Sequence, residues 1–413
     1  MKTLILLTDN YPITHGEFFI DDEMRVIADR FEKVIVVVKS QQSVNFNRYV
    51  PKNMIVYPVS DFVSFFDKVK ALPKILSSFF MEEWRFAIKN YKLKPSVILF
   101  KLMYMDVVRA LKVKKQLLDV LFKEAISQNK TIYYSYWNDY KALALSLMKA
   151  KNNSMVCVSR AHGWDVFFER HQPPYLPFKK FIVSNLDVTY SISEAGRKAF
   201  ISLLGNEYNN KIAVSRLGKI NHRLPIENKN HDGILICSCS HIIPLKRIHL
   251  IVELLAILNI KNLKWVHFGD GPLRNRLEEL AQEKLQYVKY EFKGNVPNEE
   301  ILDFYHKNYV DLFINLSESE GVPVSIMEAL SAGIPVLATN VGGVCEVVNQ
   351  KVGFLVPKGF KVDDVAKIIK NYLNLPDIEK QQYRENAYQF WKENFEAEKN
   401  YGEFVKKIFE LCV

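Results

Sequence analysis

Residues 311–355, DLFINLSESEGVPVSIMEALSAGIPVLATNVGGVCEVVNQKVGFL, contain the pattern that decides the fold. The run Asp311–Leu316 is short, mostly apolar and followed by polar residues, which predicts a buried parallel strand that ends in a loop. The run Ile334–Ala338 predicts the next strand, and the pair Gly342-Gly343 lets the backbone turn closely above it. This stretch therefore predicts one strand, loop, helix and strand unit of a parallel α/β sheet.

A helix is expected between these two strands. Ser317 and Ser319 offer hydroxyl groups that can cap a helix N-terminus, and Pro323 suits a first helical turn. The helix should end at Gly333, because glycine readily takes the left-handed conformation that follows a helix. Small residues before a helix N-terminus favour a bound phosphate, since free N–H groups and the helix dipole both attract an anion.

Two carboxylates lie in this unit, Glu320 in the loop and Glu328 about two turns into the helix. A single glutamate on a helix is more often a solvated surface residue. Because a carboxylate would repel phosphate, this pair is expected to accept hydrogen bonds from neutral hydroxyl groups, such as those of a ribose or a sugar. The pair is therefore interpreted as part of a site that binds both a phosphate group and the hydroxyl groups of a ribose or a sugar.

The segment 317–348, SESEGVPVSIMEALSAGIPVLATNVGGVCEVV, resembles the Glu-x7-Glu signature of the retaining, nucleotide-sugar-dependent glycosyltransferases of family four, which have the GT-B fold. Many of them build bacterial polysaccharide and lipopolysaccharide. The resemblance implies that Glu320 faces the donor sugar and diphosphate, and that Glu328 holds the ribose hydroxyls. It also implies that the donor site is lined by Gly321, Val322, Pro323 and Val324.

The whole chain is predicted to be an α/β protein with two doubly wound, Rossmann-like parallel-sheet domains that face each other across a cleft. Its 413 residues are too many for one ordinary core. Residues 1–217 are expected to bind the acceptor, and residues 218–390 the nucleotide sugar. Residues 391–413 are expected to form a helix that crosses back to the first domain, as in GT-B enzymes.

Composition places the chain among soluble globular proteins, with 48% hydrophobic and 25% charged residues. No run of eighteen apolar residues occurs, so no transmembrane helix is expected. The apolar start of the chain is interpreted as the first strand and not as a signal peptide. Five scattered cysteines suit reduced thiols in a cytoplasmic protein and make a zinc site improbable.

The segment 61–130 is the most basic part of the chain, with fourteen Lys and Arg, seven Asp and Glu, and a net charge of +7. Basic residues interleaved with apolar ones suit a surface that lies on anionic lipid headgroups, which would place the protein on the inner membrane face. Core-packing helices with a basic outer face would look similar, and the two interpretations carry equal weight. Nucleic acid is not an expected partner, because no recognised binding motif accompanies the charge.

Two stretches of the first half contain candidate site residues. Gly16 and Glu17 follow the first strand, where doubly wound sheets bind ligands, although Gly16 also suits a simple turn. Strand Met155–Ser159 is expected to deliver three polar residues into a loop, namely Arg160, His162 and Asp165. The resemblance implies that Gly16 belongs to a glycine loop and that His162 touches the transferred sugar.

Lys246 and Arg247 begin a helix in the second half. Cations at a helix N-terminus oppose the dipole, which suggests a bound anion. The resemblance implies that Lys246 holds the diphosphate. The family has an arginine six residues earlier, where this chain has Ser240, which is itself a candidate donor-binding residue. Arg247 is the candidate substitute for that arginine. The resemblance also implies that the base packs on Gly294, Asn295 and Val296.

The predicted reaction is transfer of a hexosyl unit from a nucleotide diphosphosugar to a hydroxyl of a glycan or lipid-linked acceptor, with retention of anomeric configuration. No cofactor is expected, and no metal, because the chain has no Asp-x-Asp motif. The alternatives are a sugar-nucleotide epimerase or glycan phosphorylase of the same fold, or an inactive membrane-associated scaffold. The predicted catalytic residues are Glu320, Lys246, Arg247 and His162.

Overall fold

The computed structural model describes residues 2–14, 16–39, 48–127, 131–226 and 232–412. The chain forms two compact units, one of Met1–Gly218 with Ala397–Val413, and one of Lys219–Glu396. The boundary predicted after residue 217 lies one residue before the observed one. None of the helices in the described ranges is long and apolar enough to cross a membrane.

The first unit contains a parallel sheet of seven strands in the order β3-β2-β1-β4-β5-β6-β7. The apolar runs of the central strands are buried, because helices cover both faces of a doubly wound sheet. The strands are β1 Thr3–Thr8, β2 Lys33–Lys39, β3 Met54–Val59, β4 Thr131–Ser135, β5 Val156–Ala161, β6 Val188–Ser191 and β7 Ile212–Val214. The helices are α1 Phe19–Ile27, α2 Phe65–Ala71, α3 Ser78–Asn90, α4 Val97–Lys123, α5 Tyr140–Lys149, α6 Lys179–Asn185 and α7 Glu194–Leu204.

The second unit contains a parallel sheet of six strands in the order β10-β9-β8-β11-β12-β13. The strands are β8 Ile234–Cys239, β9 Leu263–Phe268, β10 Lys289–Gly294, β11 Leu312–Asn315, β12 Val336–Thr339 and β13 Gly353–Val356. The helices are α8 Ile248–Leu258, α9 Arg274–Lys284, α10 Asn298–Lys307, α11 Val324–Ser331, α12 Val362–Leu373 and α13 Asp377–Asn394.

The two sheets share one topology, and the prediction of two doubly wound parallel sheets is confirmed. In each unit the strand order reverses beside the first strand, between β1 and β4 and between β8 and β11. Ligands of open α/β sheets bind in the crevice outside the carboxyl ends of the strands at this reversal. The loops that follow β1, β4, β8 and β11 are therefore where functional side chains are expected.

The C-terminal segment differs from the single helix predicted over residues 391–413. Helix α13 ends at Asn394, and a separate helix α14, Ala397–Glu410, belongs to the first unit. The two residues between these helices leave the helical path, because Lys219 donates its backbone N–H to the carbonyl of Phe395 and pairs with Glu396 as an isolated bridge. The predicted last helix therefore belongs to the first unit as expected, but it begins at Ala397 and not at residue 391.

Candidate active site

The loop after β11 leads directly into helix α11. The helix begins at Val324, with Pro323 as its N-cap residue and no side-chain cap, so the predicted caps Ser317 and Ser319 were wrong. They lie too far back in the loop, where the Ser317 amide instead donates to Asn315 Oδ1 at 3.1 Å. The predicted end at Gly333 is confirmed, since that residue has a φ of +68° just after the last turn.

Glu320 and Lys246 meet at the reversal point of the second sheet. Glu320 lies in the loop after β11, and its Oε1 atom accepts a hydrogen bond from Lys246 Nζ at 2.6 Å. Asn315 Nδ2 lies 3.4 Å from the same oxygen. Glu320 is only 7% exposed, so its charge is held in a partly dehydrated place beside a single ammonium group. The structure thus brings together two predicted catalytic residues that are 74 positions apart.

Lys246 lies just before helix α8, at the end of the 3-10 helix Pro244–Lys246. The positive charge at this position led to the inference of a bound anion. In the structure the carboxylate of Glu320 supplies the opposing negative charge. The charge argument alone therefore does not require an anion, because an intramolecular carboxylate satisfies it.

Arg247 fixes the loop that carries Glu320. Its guanidinium donates to the carbonyl oxygens of Leu316 at 2.7 Å, Lys358 at 2.9 Å and Ser317 at 3.4 Å, and to Thr339 Oγ1 at 3.2 Å. These contacts commit most of its five donors to the protein. We therefore interpret Arg247 as a positioning residue, and the structure does not place it as a substitute for an arginine at Ser240.

A glycine turn holds the Glu320 loop from the other side. Gly342 has a φ of +54°, and a Cβ atom added to it would lie 1.9 Å from the carbonyl oxygen of Glu320. Gly343 donates its N–H to the carbonyl of Gly321 at 2.8 Å. Only a residue without a side chain allows this approach. The Gly-Gly turn predicted from the sequence thus fixes the backbone on which Glu320 stands, next to the buried residues Val322 and Pro323 and the half-buried Val324.

Glu328 lies in α11 and is 4% exposed. Its Oε1 atom accepts a hydrogen bond from Asn298 Nδ2 at 2.7 Å and lies 3.4 Å from Lys219 Nζ. Neither Asn298 nor Lys219 was predicted from the sequence. Lys219 lies two residues after the predicted domain boundary at residue 217, and this position is the only sequence signal that could have identified it. A ligand hydroxyl that binds to Glu328 would therefore lie next to Asn298 and Lys219.

The predicted base-binding residues lie at the carboxyl ends of the neighbouring strands. Gly269 follows β9 with a φ of +126°, and an added Cβ atom would lie 2.0 Å from the carbonyl oxygen of Ser240. The Gly269 amide donates to the carbonyl of Gly294 at 2.9 Å. This tight arrangement holds Ser240 and Gly294 together at the carboxyl ends of the strands, where Asn295 is exposed and Val296 half-buried. Their contact with a base stays a prediction.

The loop after β1 is built around Glu17. Its carboxylate accepts backbone hydrogen bonds from Asp9 at 3.2 Å, Asn10 at 2.6 Å and Tyr11 at 2.9 Å, and one from Trp137 Nε1 in the loop after β4. Glu17 and Gly16 have φ values of +52° and +111°. The predicted position at the carboxyl end of β1 is observed. The carboxylate is turned into the protein, however, and four donors already satisfy it.

Arg48, which was not predicted, fixes this loop from outside. Its guanidinium donates to the carbonyl oxygens of Gly16 at 2.7 Å and Glu17 at 2.9 Å and forms an ion pair with Asp21 at 2.9 Å. Arg48 follows a stretch of sequence without a motif, so no local signal pointed to it. The strained φ values of the loop are thus maintained by a cation that holds its carbonyl groups.

Arg160 was predicted in a site loop, and this prediction was wrong. It lies within strand β5 and is completely buried, where it pairs with Glu23 of α1 at 3.1 Å and donates to Tyr134 Oη at 2.6 Å. Its guanidinium also lies 4.6 Å from the ring centre of Phe404 in α14. Because β5 extends to Ala161, two residues further than predicted, Arg160 points into the core.

Asp165 closes the loop after β5. Its carboxylate accepts the backbone N–H groups of His162 and of Asn138 in the loop after β4. Burial raises the pKa of Asp165 to about 6, against the lowering effect of Lys179. Asp165 therefore joins the loops that follow two neighbouring strands, which is a structural role.

His162 differs from the other predicted residues of the first unit, because the polar atoms of its side chain are buried and have no hydrogen-bond partner among the described residues. Its ring is buried between Trp137, at 4.5 Å between ring centres, and Tyr136, at 5.0 Å. Within the described residues neither ring nitrogen has a hydrogen-bond partner. Burial, assisted by the nearby Arg160, holds the pKa of His162 well below its usual range. A neutral imidazole with both nitrogens unsatisfied suits a bound polar group such as a sugar hydroxyl.

Most of the second unit matches a family of known proteins. Residues 221–390 match the model of the family described as "Glycosyl transferases group 1". The O-antigen biosynthesis glycosyltransferase WbnH of Escherichia coli is 27% identical over 223 residues, which are 52% of this chain and 62% of WbnH. The match thus spans less than two thirds of that relative.

Solved structures resemble the chain over its full length. Sucrose-phosphate synthase of Thermosynechococcus elongatus has a TM-score of 0.73 at 15% identity, with 100% of both chains covered. The Anabaena protein HepE, in complex with UDP-glucose, has a TM-score of 0.62 at 16% identity, with 99% of this chain and 100% of HepE covered. Residues 221–390 therefore match the glycosyl transferases group 1 family, and the whole chain has the GT-B fold.

Proposed function

We propose that the protein is a retaining glycosyltransferase that moves a hexosyl unit from a nucleotide diphosphosugar to a hydroxyl of a glycan or lipid-linked acceptor in bacterial cell-surface polysaccharide synthesis. The observation that carries the proposal is the Lys246–Glu320 pair at the reversal point of a sheet that matches a glycosyltransferase family. Support for the product class comes from WbnH, which is named for O-antigen biosynthesis.

The donor is proposed to bind to the second unit. Glu328 accepts hydrogen bonds from the ribose hydroxyls, and the neighbouring Asn298 and Lys219 hold its carboxylate in place. The ammonium group of Lys246 has three N–H donors, and Glu320 accepts a hydrogen bond from only one of them. The other donors of Lys246 bind the diphosphate. The UDP-glucose complex of HepE is consistent with a donor of this class.

Lys246 is proposed to stabilise the transition state. Departure of the nucleoside diphosphate leaves an oxocarbenium-like sugar and an additional negative charge on the leaving group. A cation that is fixed beside this charge is expected to be a large term in catalysis. A diphosphate oxygen takes the proton of the attacking hydroxyl on the same face of the sugar, which gives retention and requires no separate base. His162, neutral and unsatisfied, hydrogen-bonds to a sugar hydroxyl.

We also propose that the reaction needs no metal ion. The enzyme is proposed to be cytoplasmic and to work at the inner face of the membrane. Lys246 supplies the positive charge that a divalent ion provides in other enzymes. Activity that persists in the presence of a chelator is the expected result. Complete loss with a chelator and recovery with Mg²⁺ or Mn²⁺ would contradict the metal-independent part alone.

The decisive experiment is a screen of the purified protein against UDP-, GDP-, ADP- and dTDP-sugars, with release of the nucleoside diphosphate as the readout. We expect one nucleotide class to be turned over, and its products to keep the anomeric configuration of the donor. Lys246→Ala should lower the rate of this release roughly a hundredfold or more. Absence of turnover and of calorimetric binding for every donor would overturn the proposal, and a requirement for free phosphate would indicate a phosphorylase instead.

A further inference from the structure

Helix α2 and the 3-10 helix Leu72–Leu76 that follows it turn their apolar side chains towards solvent. Phe65 is 74% exposed, Phe66 73% and Leu76 86%, whereas the buried residue of α2 is the small Ala71. An amphipathic helix on a globular core normally has the opposite arrangement, with its apolar stripe inside. The exposed apolar residues here are Phe62, Phe65, Phe66, Val69, Leu72 and Leu76, and together they are called the apolar face of α2.

The apolar face of α2 follows helical spacing. Phe65, Val69 and Leu72 recur at intervals of four and three residues, which places them on one side of α2, and Leu76 ends the 3-10 helix that follows. Large apolar patches on a protein surface usually mark an interaction site. The first turn of α4 adds Val97, 82% exposed, and Ile98, 63% exposed.

The structure holds this helix firmly in its outward orientation. Ser64 and Asp67 form a reciprocal capping box at its start. Lys112 of α4 forms an ion pair with Asp67 at 3.5 Å, and Tyr104 of α4 donates a hydrogen bond to the carbonyl of Lys68. The helix therefore lies on α4 through its polar side and its backbone, and the apolar side remains free to contact a partner.

Lysines lie between the apolar residues of this segment and on the neighbouring helix α4. Lys68, Lys70 and Lys101 are exposed, and Lys74 is half-buried. Burial, together with the positive charges of Lys151 and Lys74, lowers the pKa of Lys114 on α4. Like charges gathered in this way repel one another, and an anionic partner would relieve the repulsion.

We propose that the apolar face of α2 docks on an anionic lipid bilayer, with its phenylalanine and leucine side chains among the headgroups and its lysines on the lipid phosphates. An interfacial helix has this combination of an apolar face and flanking lysines. A second copy of the chain fits less well, because a twofold contact would bring the same lysines together. The proposal concerns a surface and not the reaction, so it holds or fails independently of glycosyl transfer.

The test is flotation of the purified full-length protein with vesicles of phosphatidylcholine alone or mixed with phosphatidylglycerol, in the absence of any sugar nucleotide. We expect binding to the mixed vesicles at low salt, release as the ionic strength rises, and little binding to phosphatidylcholine alone. Equal binding to both kinds of vesicle, or binding to neither, overturns the proposal.

Two variants separate the apolar and the charged contributions. Phe65→Ser/Phe66→Ser should remove most of the binding, because these side chains are the inserted ones. Lys68→Gln/Lys70→Gln should weaken binding about 25-fold, since each lysine near an anionic surface contributes a factor of about five. Both pairs are on the surface of the protein, and unchanged circular dichroism would verify that each variant folds.

Matched controls come from the second unit. Ile378→Ser removes an apolar side chain that is 76% exposed, and Lys289→Gln/Lys370→Gln removes two exposed lysines. Neither control should change vesicle binding. An equal loss in the controls would show that overall charge or hydrophobicity drives the association, and would overturn the assignment to α2. Binding of RNA that the α2 variants abolish, without vesicle binding, would assign the face to nucleic acid instead.

Discussion

Each of the two sheets has a buried glutamate at the point where its strand order reverses, and the two glutamates differ in what satisfies them. In the first unit, Glu17 accepts three backbone N–H groups and the indole N–H of Trp137. In the second unit, Glu320 is paired with the flexible ammonium group of Lys246 and has one longer contact, from Asn315. Both carboxylates lie beside the reversal point of their sheet, Glu17 after β1 and Glu320 after β11, and they have different surroundings.

The difference separates a structural carboxylate from one that can exchange partners. Backbone donors cannot leave Glu17 without unfolding the loop after β1, so a ligand has no means of displacing them. The ammonium group of Lys246 can turn towards a diphosphate while it remains bound to the protein, because the lysine side chain is long and its donors rotate. Chemistry is therefore expected at the second reversal point, and loop stability at the first.

The largest expected effect is on the stability of the first unit. Arg160→Met should destabilise it by about 3–5 kcal/mol, because the carboxylate of Glu23 would remain buried without the cation that pairs with it. Chemical denaturation followed by tryptophan fluorescence measures the change. Arg197→Met is the matched control, since Arg197 forms a more exposed pair with Glu194 in the same unit, and its effect should be much smaller. Normal stability with lost activity in Arg160→Met would show that Arg160 acts in the active site and not in the core.

The next effect is on catalysis in the second unit. Lys246→Ala should lower turnover roughly a hundredfold or more, because its charge acts mainly on the leaving diphosphate in the transition state. Steady-state kinetics with the cognate donor provide the measurement. Lys358→Ala removes a nearby exposed lysine that pairs with Glu318 and should leave turnover unchanged. A variant with a raised KM and normal kcat would show that Lys246 only binds the donor.

Binding of the nucleotide should depend on Glu328. Glu328→Ala should weaken the affinity for the nucleoside diphosphate by about 1.5–3 kcal/mol, the range for losing hydrogen bonds to a charged group. Isothermal calorimetry measures this directly. Glu299→Ala, at an exposed position in the first turn of α10, is the control and should bind normally. Unchanged affinity in Glu328→Ala would show that Glu328 does not bind the ribose.

The smallest effect sharpens the comparison between the two glutamates. Glu17→Gln places an amide N–H₂ group among backbone donors and should cost about 1–2 kcal/mol of stability. Glu320→Gln should leave the stability almost unchanged, because Lys246 can still donate to the amide oxygen, and should reduce turnover. Denaturation midpoints and kinetics of both variants are compared. The opposite result, a stability loss only in Glu320→Gln, would reverse the roles assigned to the two residues.

Sequence reasoning was most accurate where the relevant residues are close together in the chain. The strand, loop, helix and Gly-Gly turn between residues 311 and 343 were predicted in the correct order, because each depends on local patterns of apolar residues and glycines. The helix start was misplaced, since Arg247 and Leu245, from a distant part of the chain, hold the loop open through Ser317 and Glu318. Local capping signals cannot report such contacts.

The amino-acid sequence by itself determined the two parallel sheets and the places where glycine is required. It also determined the match of residues 221–390 to a glycosyltransferase family, because all of these depend on residue types at fixed local spacing. Only the tertiary structure decided that Lys246 pairs with Glu320, that Arg160 lies in the core, and that Glu17 is saturated by its own loop. The physical reason is that burial and the identity of a partner depend on elements that are far apart in the chain. An arginine or a glutamate next to a strand end has the same sequence pattern whether it faces a ligand or another helix.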